Sequence, residues 1–471
     1  MNFDPQKWSA LFAPAGYSEV YWEDSRSLSI RIEESRLAGI KVVDDRGMGL
    51  RYLFPPAGGA NCKTLFTSLN GWDFESAKNA SARILESGRR LAGGQKASAP
   101  GRGTREGRDW KIDFRRLPVM EQSDDVSWER KAGRLQDLDR LVRDRFPYIR
   151  QVSIRYQENV LKTGLINSDG DYCGQEGTAT TFLVEVVAEK EGVRQSGYES
   201  SGAWKGWEYL SEIEPEKLAL RAARRAVSKL SAKPAPAGEM PVILSGSAGG
   251  TFIHEAIGHS LEADHIQEGT SPAYAGKIGQ KVAPQQVTII DDPTLPFGRG
   301  SYAFDGEGVA ARPTTLVENG VLKDYLFDRR TAYAAGRASN GHGRREAYHC
   351  VPIPRMSNLY MAPGRADPRR MIAALDKGFL VTHMGAGQVN TATGEFVFEV
   401  DEGFLIERGK VAGMLRDASL LGLSGEVLNN IGALGRDIGW AVGVCGKSAQ
   451  HVPVADGIPT MRLSKMVVGG K

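Results

Sequence analysis

Two histidines and a glutamate lie close together near the middle of this 471-residue sequence, in the segment His254-Glu255-Ala256-Ile257-Gly258-His259. Two His four residues apart on a helix, with a Glu beside the first, form a familiar zinc-binding pattern in which the Glu acts as a base. Here the spacing is five. Side chains five apart point roughly 140° away from each other around a regular α-helix, against roughly 40° for four apart. A regular helix therefore cannot aim both imidazoles at one ion.

Two local structures would repair this geometry. A π-bulge brings residues five apart onto one face of a helix, and Gly258 is the residue in the motif that best tolerates such a distortion. Alternatively, His259 lies just past the end of the helix. The glycine-containing segment 247–250 provides a flexible entry, and Thr251 is a predicted N-cap. The motif is therefore expected in the first turns of a helix.

The motif could also consist of ordinary polar histidines that fall close together by chance. The surrounding residues argue against that interpretation, because apolar and titratable side chains crowd one short span. Charged groups in such a setting are costly to bury unless an ion neutralises them. The titratable residues of this span are His254, Glu255, His259, Glu262, Asp264 and His265.

A catalytic zinc usually has three protein ligands and one position for water, so a third ligand must be found. Glu262, Asp264 and His265 are the local candidates. Cys445 is a distant one, and thiolate binds zinc well, but a buried free cysteine is more often inert packing. The residue types alone leave this choice open.

Apolar periodicity predicts an α+β arrangement before the motif. Short strands are predicted around residues 20–22, 28–32 and 50–52, followed by a helix that Asp73 caps and that extends to Leu91. A second set contains a helix, two strands and a helix with Pro215 in its first turn. Its predicted ranges are 131–145, 152–156, 180–187 and 215–230.

Two segments have the composition of loops. Residues 92–104 are rich in Gly and Ala and are predicted to form a flexible loop. Residues 232–238 contain two prolines and a glycine and are predicted to link two domains. We place the boundary near Pro236, between an N-terminal α+β domain (1–236) and a C-terminal domain (237–471).

The predicted fold class is α+β, with an N-terminal sheet-and-helix domain followed by a β-rich C-terminal domain that carries the motif helix. Strand-like segments at 241–244, 286–290 and 395–400 support the β-rich second half. A fixed short repeat, as in solenoids and propellers, is not seen in the sequence.

Composition excludes several classes of protein. Lys plus Arg number 60 and Asp plus Glu 57, a net charge of +3 that is too balanced to favour a nucleic-acid binder. The sequence shows neither a signal peptide nor an apolar run long enough for a membrane span. Its four cysteines lie far apart, which favours a reducing compartment over a disulfide framework. We expect a soluble cytoplasmic protein.

Several segments resemble the TldD/PmbA family of bacterial and archaeal metalloproteases. They are residues 250–264 around the motif, 354–358, the tail segments 445–447, 452–454 and 459–460, and the N-terminal segment 45–49. The resemblance covers nearly the whole chain. One departure lies at Asp305-Gly306-Glu307-Gly308, where members of the family often read Asp-Asp-Glu-Gly.

The resemblance implies a zinc ion bound by His254, His259 and Cys445, with Glu255 as the catalytic base. Glu262 then has a supporting or structural role. The other branch of the family, the TldE or PmbA type, lacks the His-Glu motif and acts as a partner. The motif therefore implies the catalytic, TldD-type branch. The resemblance also implies short or unfolded peptide substrates and a dimer, usually with a TldE/PmbA-type subunit, a homodimer being the alternative.

The expected reaction is hydrolysis of a peptide bond by zinc-activated water, with Glu255 as general base. A zinc amidase for small molecules would use the same residues in a narrower pocket, and a non-catalytic zinc scaffold would have a closed coordination sphere. Glu262, His349 and Arg355 are predicted to contact the substrate or to support the ligands. For His349, either a donor to the oxyanion or a buried core residue is expected, with the core favoured.

Overall fold

The computed structural model describes residues 3–13, 16–54, 62–91 and 110–470. The predicted loop at 92–104 lies outside these residues. The described chain is α+β, with sheet and helices in its first half and a β-rich second half, which confirms the predicted fold class. Within the described residues, no helix combines the length and apolar character needed to cross a membrane.

The described N-terminal half is built on a seven-stranded sheet in the order β3-β2-β1-β5-β6-β4, with β7 also paired to β6. Its strands are β1 (Tyr17–Glu33), β2 (Arg36–Phe54), β3 (Lys63–Asn70), β4 (Lys111–Arg116), β5 (Ile149–Asn167), β6 (Asp171–Lys190) and β7 (Val193–Ala203). The prediction of several short strands was wrong here. Val20 and Ile30 belong to one strand, because β1 pairs along its whole length with β2.

Helices cover this sheet. They are α1 (Pro5–Trp8), α2 (Phe74–Leu91), α3 (Trp128–Arg145), α4 (Glu208–Glu212) and α5 (Pro215–Lys229). Asp73 caps α2 as predicted, since its carboxylate accepts a hydrogen bond from the Ser76 amide at 2.7 Å. Pro215 lies in the first turn of α5 as predicted. Apolar faces of α3 and α5 pack in one core with the inner residues of β5 and β6.

The second half contains many short strands, bounded as follows: β8 (Lys233–Pro234), β9 (Gly238–Leu244), β10 (Ile289–Asp291), β11 (Thr314–Glu318), β12 (Val321–Leu322), β13 (Gly343–Arg344), β14 (Ile353–Pro354), β15 (Asn358–Met361), β16 (Lys377–Asn390), β17 (Glu395–Glu407), β18 (Lys410–Arg416), β19 (Ala418–Leu423), β20 (Ile431–Leu434), β21 (Gly439–Lys447), β22 (Gln450–Ile458) and β23 (Met461–Gly469). Its α-helices are α6 (Thr251–Ile253), α7 (Ala263–Gln267), α8 (Arg329–Ala334), α9 (Pro368–Ala373) and α10 (Ser424–Val427).

Two sheets of this half position the motif. In one, β16, β9, β23, β19 and β17 pair in turn, and β17 pairs back to β16, so the strands close into a barrel. The other is a six-stranded sheet in the order β12-β11-β10-β15-β22-β21. Phe252, beside the motif, packs its ring against Phe396 and Phe398 of the barrel. The motif is therefore fixed between the barrel and the six-stranded sheet.

The segment predicted as a linker is partly held in a sheet. Lys233 and Pro234 pair with Leu415 and Arg416 of β18, and Gly238 begins β9. The domain boundary near Pro236 stays a prediction.

Candidate metal centre

The motif has the distorted helical geometry that its spacing predicts. α6 is followed directly by a π-helix over His254–Gly258 and then by a 3-10 turn over His259–Leu261. The ring centroids of His254 and His259 are 5.0 Å apart. The N-cap is Gly250, so the prediction that Thr251 caps the helix was wrong by one residue.

Gly258 is closely packed against neighbouring side chains. Its backbone lies in the ordinary right-handed helical region, with φ −54°. A Cβ added there would lie 2.0 Å from Sδ of Met356 and 2.9 Å from Cδ2 of Leu359. The glycine therefore lets the π-helix lie directly on the segment that leads into β15.

Three buried side chains converge at this point. One donor atom each of His254, His259 and Cys445 lies within 4.8 Å of the other two. Sγ of Cys445 is 3.4 Å from Nε2 of His259, although the two residues are 186 positions apart in the chain. The π-helix supplies the imidazole of His254, the 3-10 turn after it supplies that of His259, and β21 supplies the thiol.

These donors fit a zinc ion. Zinc is bound by imidazole at about 2.0–2.1 Å and by thiolate at about 2.3 Å, so tetrahedral coordination separates N and S by about 3.6 Å. The observed Sγ to Nε2 distance of 3.4 Å is close to this value. Burial raises the pKa of the Cys445 thiol, but the charges and hydrogen bonds of His254 and His259 outweigh it and lower the pKa to about 4. The thiolate that zinc requires is thus the favoured form.

Each histidine is oriented by a carboxylate at its other ring nitrogen. Nδ1 of His254 is 3.0 Å from Oδ1 of Asp456, and Nδ1 of His259 is 2.9 Å from Oε2 of Glu262. A carboxylate in this position fixes the tautomer and the orientation of a metal-binding imidazole. The Nε2 atoms are thereby left free to face a metal.

Several neighbouring groups stabilise the charged form of Glu262. Burial raises the pKa of Glu262, but Lys447 and His259 outweigh burial and hold the pKa well below its ordinary value. Arg355 is fully buried nearby, with Nε 4.0 Å from Oε1 of Glu262 and a hydrogen bond from Nη2 to the carbonyl of Cys445. Glu262 and Arg355 thus lie beside His259 and Cys445, and their predicted supporting role stays a prediction.

The predicted base, Glu255, differs from its neighbours because its side chain is only half-buried. Burial raises the pKa of Glu255 above its ordinary value, and the histidine charges oppose that shift. A carboxylate whose pKa is shifted toward neutrality is better suited to accept and return a proton.

The remaining local candidates have other partners. Asp264 pairs with Lys447 at 2.7 Å, and Nδ1 of His265 is 2.9 Å from Oγ1 of Thr270. His349 is exposed, so the favoured prediction of a core position was wrong. Its neighbour Tyr348 is buried instead, and the Tyr348 hydroxyl donates a hydrogen bond to Oδ1 of Asn70.

Sequence reasoning missed Asp456 and gave Lys447 no role. Asp456 is 202 residues from His254, and no spacing rule connects them. Lys447 belongs to the tail segment 445–447 that carries part of the family resemblance, but the sequence predicted no function for its side chain. The one available signal was their position on either side of the β21–β22 turn, close to Cys445.

Comparison with known proteins gives three consecutive family matches. Residues 18–87 match the PmbA/TldA metallopeptidase domain 1, residues 121–230 the central domain and residues 237–470 the C-terminal domain. Two solved structures share the fold. A Thermotoga maritima protein described as a candidate modulator of a DNA gyrase has a TM-score of 0.76 at 21% identity, covering 96% of both chains. TldE from Thermococcus kodakarensis has a TM-score of 0.72 at 18% identity, covering 98% of both.

Sequence relatives are closer. The metalloprotease TldD homolog of Buchnera aphidicola is 36% identical over 313 residues, 64% of this chain and 65% of that protein. That of Haemophilus influenzae is 33% identical over 362 residues, 75% of each. The zinc metalloprotease TldD homolog of Saccharolobus solfataricus is 28% identical over 73% of this chain and 76% of that protein. From the domain matches and these identities, the chain belongs to the TldD/PmbA family of metalloproteases.

Proposed function

We propose that this protein is a zinc-dependent peptidase that hydrolyses short or unfolded peptides, with His254, His259 and Cys445 as metal ligands and Glu255 as general base. The observation that carries the proposal is the convergence of three buried donor atoms within 4.8 Å, beside a half-buried carboxylate. The metalloprotease names of the relatives support it.

A zinc ion held by three protein ligands supplies an activated water and polarises the scissile carbonyl. Glu255 is adjacent in sequence to a ligand and only half-buried, so its carboxylate can accept the proton of the attacking water and then deliver it to the leaving amine. Asp456 and Glu262 hold the two imidazoles in orientation during these steps. Because a thiolate ligand donates more charge than imidazole, we expect modest turnover.

For the substrate, we propose addition of an extended peptide to β21. This strand is the edge of the six-stranded sheet and carries Cys445. An edge strand presents unpaired backbone groups that an extended chain can pair with, which favours unfolded segments over folded proteins. Val444 and Trp440, on the face of β21 opposite Cys445, are 62% and 43% exposed. Apolar side chains of a bound peptide could pack on them.

Backbone methylation of the substrate tests strand addition. A peptide with an N-methyl group at a position that pairs with β21 loses one backbone donor, worth about 1 kcal/mol. We expect KM to rise roughly 5-fold at alternating positions of a methylation scan, since only every second residue pairs with a given neighbour. An equal effect at every position, or none anywhere, would rule out strand addition.

We further propose a dimer, formed with a TldE/PmbA-type subunit or, alternatively, with a second copy of this chain. Val397 and Val467 both lie opposite Leu421 of β19 on the outer face of the barrel, and Leu423 follows on the same face of β19. Val397, Leu423 and Val467 are 37%, 40% and 45% exposed. Grouped exposed apolar residues often mark interaction sites. All four cysteines are free thiols, which suits the cytoplasmic location that we propose.

The proposed reaction is tested by Glu255→Gln, with Glu407→Gln as a control at an exposed position. Zinc content and cleavage of an unfolded peptide are measured for both variants and the wild type. We expect Glu255→Gln to retain zinc and to lose activity by a factor of about 100 or more, because it removes the base but no ligand. Wild-type cleavage by a zinc-loaded Glu255→Gln would refute the role of Glu255, and a zinc-loaded wild type without peptidase activity would refute the function.

A further inference from the structure

Lys447 is buried among oxygen atoms next to the candidate metal centre. Its ammonium nitrogen is 3.0 Å from Oε2 of Glu262 and 2.7 Å from Oδ1 of Asp264, and it donates to the carbonyl of Pro354 at 3.1 Å. Its side chain is 6% exposed. An ammonium has three donors, and each has an acceptor here, so this lysine is locked in one position.

The acceptor that matters most is Glu262. The same Oε2 atom that meets Lys447 lies 2.9 Å from Nδ1 of His259. Lys447 stands two residues after Cys445 on β21, whereas His259 begins the turn after the π-helix. The chain of contacts Lys447–Glu262–His259 therefore connects the strand that carries the thiol to the helical segment that carries the imidazole.

The positive charge at this position belongs to the protein itself. Donor atoms of Glu262, Asp264 and His265 also lie within 4.8 Å of one another, which by itself would resemble a second cation site. The ammonium of Lys447 contacts both carboxylates of this set. Lys447 thus takes the place that a second cation would have.

The other imidazole has no equivalent. Among the residues that the structure describes, the ion pair of Asp456 is with His254 alone. The Glu262 side of the centre is anchored by a buried cation, and the Asp456 side is not. Removal of the cation should therefore disturb His259 and leave His254 in position.

We propose that Lys447 is a positioning residue of the metal centre. It fixes the carboxylate of Glu262, which in turn orients the ring of His259 so that Nε2 faces the thiol of Cys445. His259 and Cys445, which are 186 positions apart in the chain, are thereby held in place before the metal binds. This role rests on the proposed zinc-peptidase function. Groups that orient metal ligands in this indirect way typically contribute 10- to 100-fold, an order-of-magnitude range, to metal affinity.

The test compares Lys447→Met, which keeps the length of the side chain and removes its charge, with Lys465→Met at an exposed salt bridge. Zinc affinity is measured by competition with a chelator, and Co²⁺ substitution reports the thiolate-to-metal absorption band. We expect Lys447→Met to weaken zinc binding by about 10- to 100-fold while the thiolate band persists. Lys465→Met should bind zinc as the wild type does. Unchanged affinity in Lys447→Met would overturn the proposal.

A second variant covers the case in which Lys447→Met does not fold. Glu262→Gln is nearly isosteric, and the proposal predicts a similar loss of zinc affinity. If Lys447 acts through Glu262, the double variant should bind zinc no worse than Glu262→Gln alone. Fully additive losses, or wild-type affinity in a folded Glu262→Gln, would overturn the proposal. A wild type that binds no zinc would instead refute the proposed function.

Discussion

Two buried glutamates show how neighbouring groups set the behaviour of a carboxyl side chain. Glu262 meets Lys447 and His259, and its pKa stays well below the ordinary value despite burial. Glu23 lies on β1 with the Tyr21 hydroxyl 3.1 Å away. There, burial outweighs that hydrogen bond and raises the pKa from 4.5 to about 7. The first carboxyl is kept charged beside the candidate metal centre, and the second is neutral in weak acid.

Glu23 makes stability depend on pH. The folded protein holds this proton more tightly than the unfolded chain, so the contribution to stability is fully present below pH 4.5 and is lost as the pH rises through about 7. From about pH 5 to about pH 8, the wild type should lose about 2 kcal/mol more unfolding free energy than Glu23→Gln. Urea unfolding at both pH values measures this difference.

Glu75→Gln serves as the control for this experiment, because the side chain of Glu75 is 69% exposed. It should follow the wild type at both pH values. If Glu23→Gln also follows the wild type, Glu23 is not the group responsible.

The residues of the site differ in how far the sequence could predict them. The types and spacing of His254, Glu255 and His259 indicated one group, and the family resemblance selected Cys445. Asp456 could not be found in this way, because a carboxylate 202 positions away meets His254 only after β22 folds against the motif. Side chains that orient ligands carry no spacing signal of their own.

At the scale of elements, the extra residue of the motif is absorbed by the π-helix. The sequence predicted this because a five-residue spacing has few solutions on a helix. The sequence could not predict that the side chains of Met356 and Leu359 pack against Gly258, because this contact depends on where the fold places β15 and the segment before it. Strand lengths were also underestimated, because hairpin pairing extends β1 through polar positions such as Ser25 and Ser27.

Gly258→Ala should disturb both stability and metal binding. The new methyl group would lie 2.0 Å from Sδ of Met356 and 2.9 Å from Cδ2 of Leu359, so these side chains or the π-helix must shift. Overpacking of this kind costs about 1–3 kcal/mol, and a shift of the helix moves both imidazoles. Urea unfolding and zinc content measure the two effects.

Gly413→Ala is the matched control, because a Cβ at Gly413 would meet nothing within 4 Å. It should leave stability and zinc content close to those of the wild type. If Gly258→Ala behaves like this control, close packing does not fix the π-helix.

At the scale of the whole molecule, a buried network of charges joins the two halves of the chain. Arg51 on β2 is 2.9 Å from Glu19 of β1 and 2.5 Å from Glu307, and Arg345 also contacts Glu19. The side chains of all four are at most 1% exposed. Gly306 lies against this network, since a Cβ there would be 3.1 Å from Nε of Arg345. The departure from the family pattern therefore falls where the halves meet.

Arg51→Met should destabilise the protein by about 3–5 kcal/mol, because it leaves the buried carboxylates of Glu19 and Glu307 without their shared partner. Arg194→Met breaks an exposed pair with Glu189 and should cost less than about 1 kcal/mol. Urea unfolding of both variants provides the comparison. Equal, small effects would show that the network does not hold the halves together.

Zinc X-ray absorption spectroscopy tests the central claim most directly, because it reports the atoms bound to the metal in the intact protein. We predict one sulfur at about 2.3 Å and two imidazole nitrogens at about 2.0–2.1 Å, with the sulfur lost in Cys445→Ser. A zinc ion without a sulfur ligand in the wild type, or a sulfur ligand that survives Cys445→Ser, would contradict a centre formed by His254, His259 and Cys445.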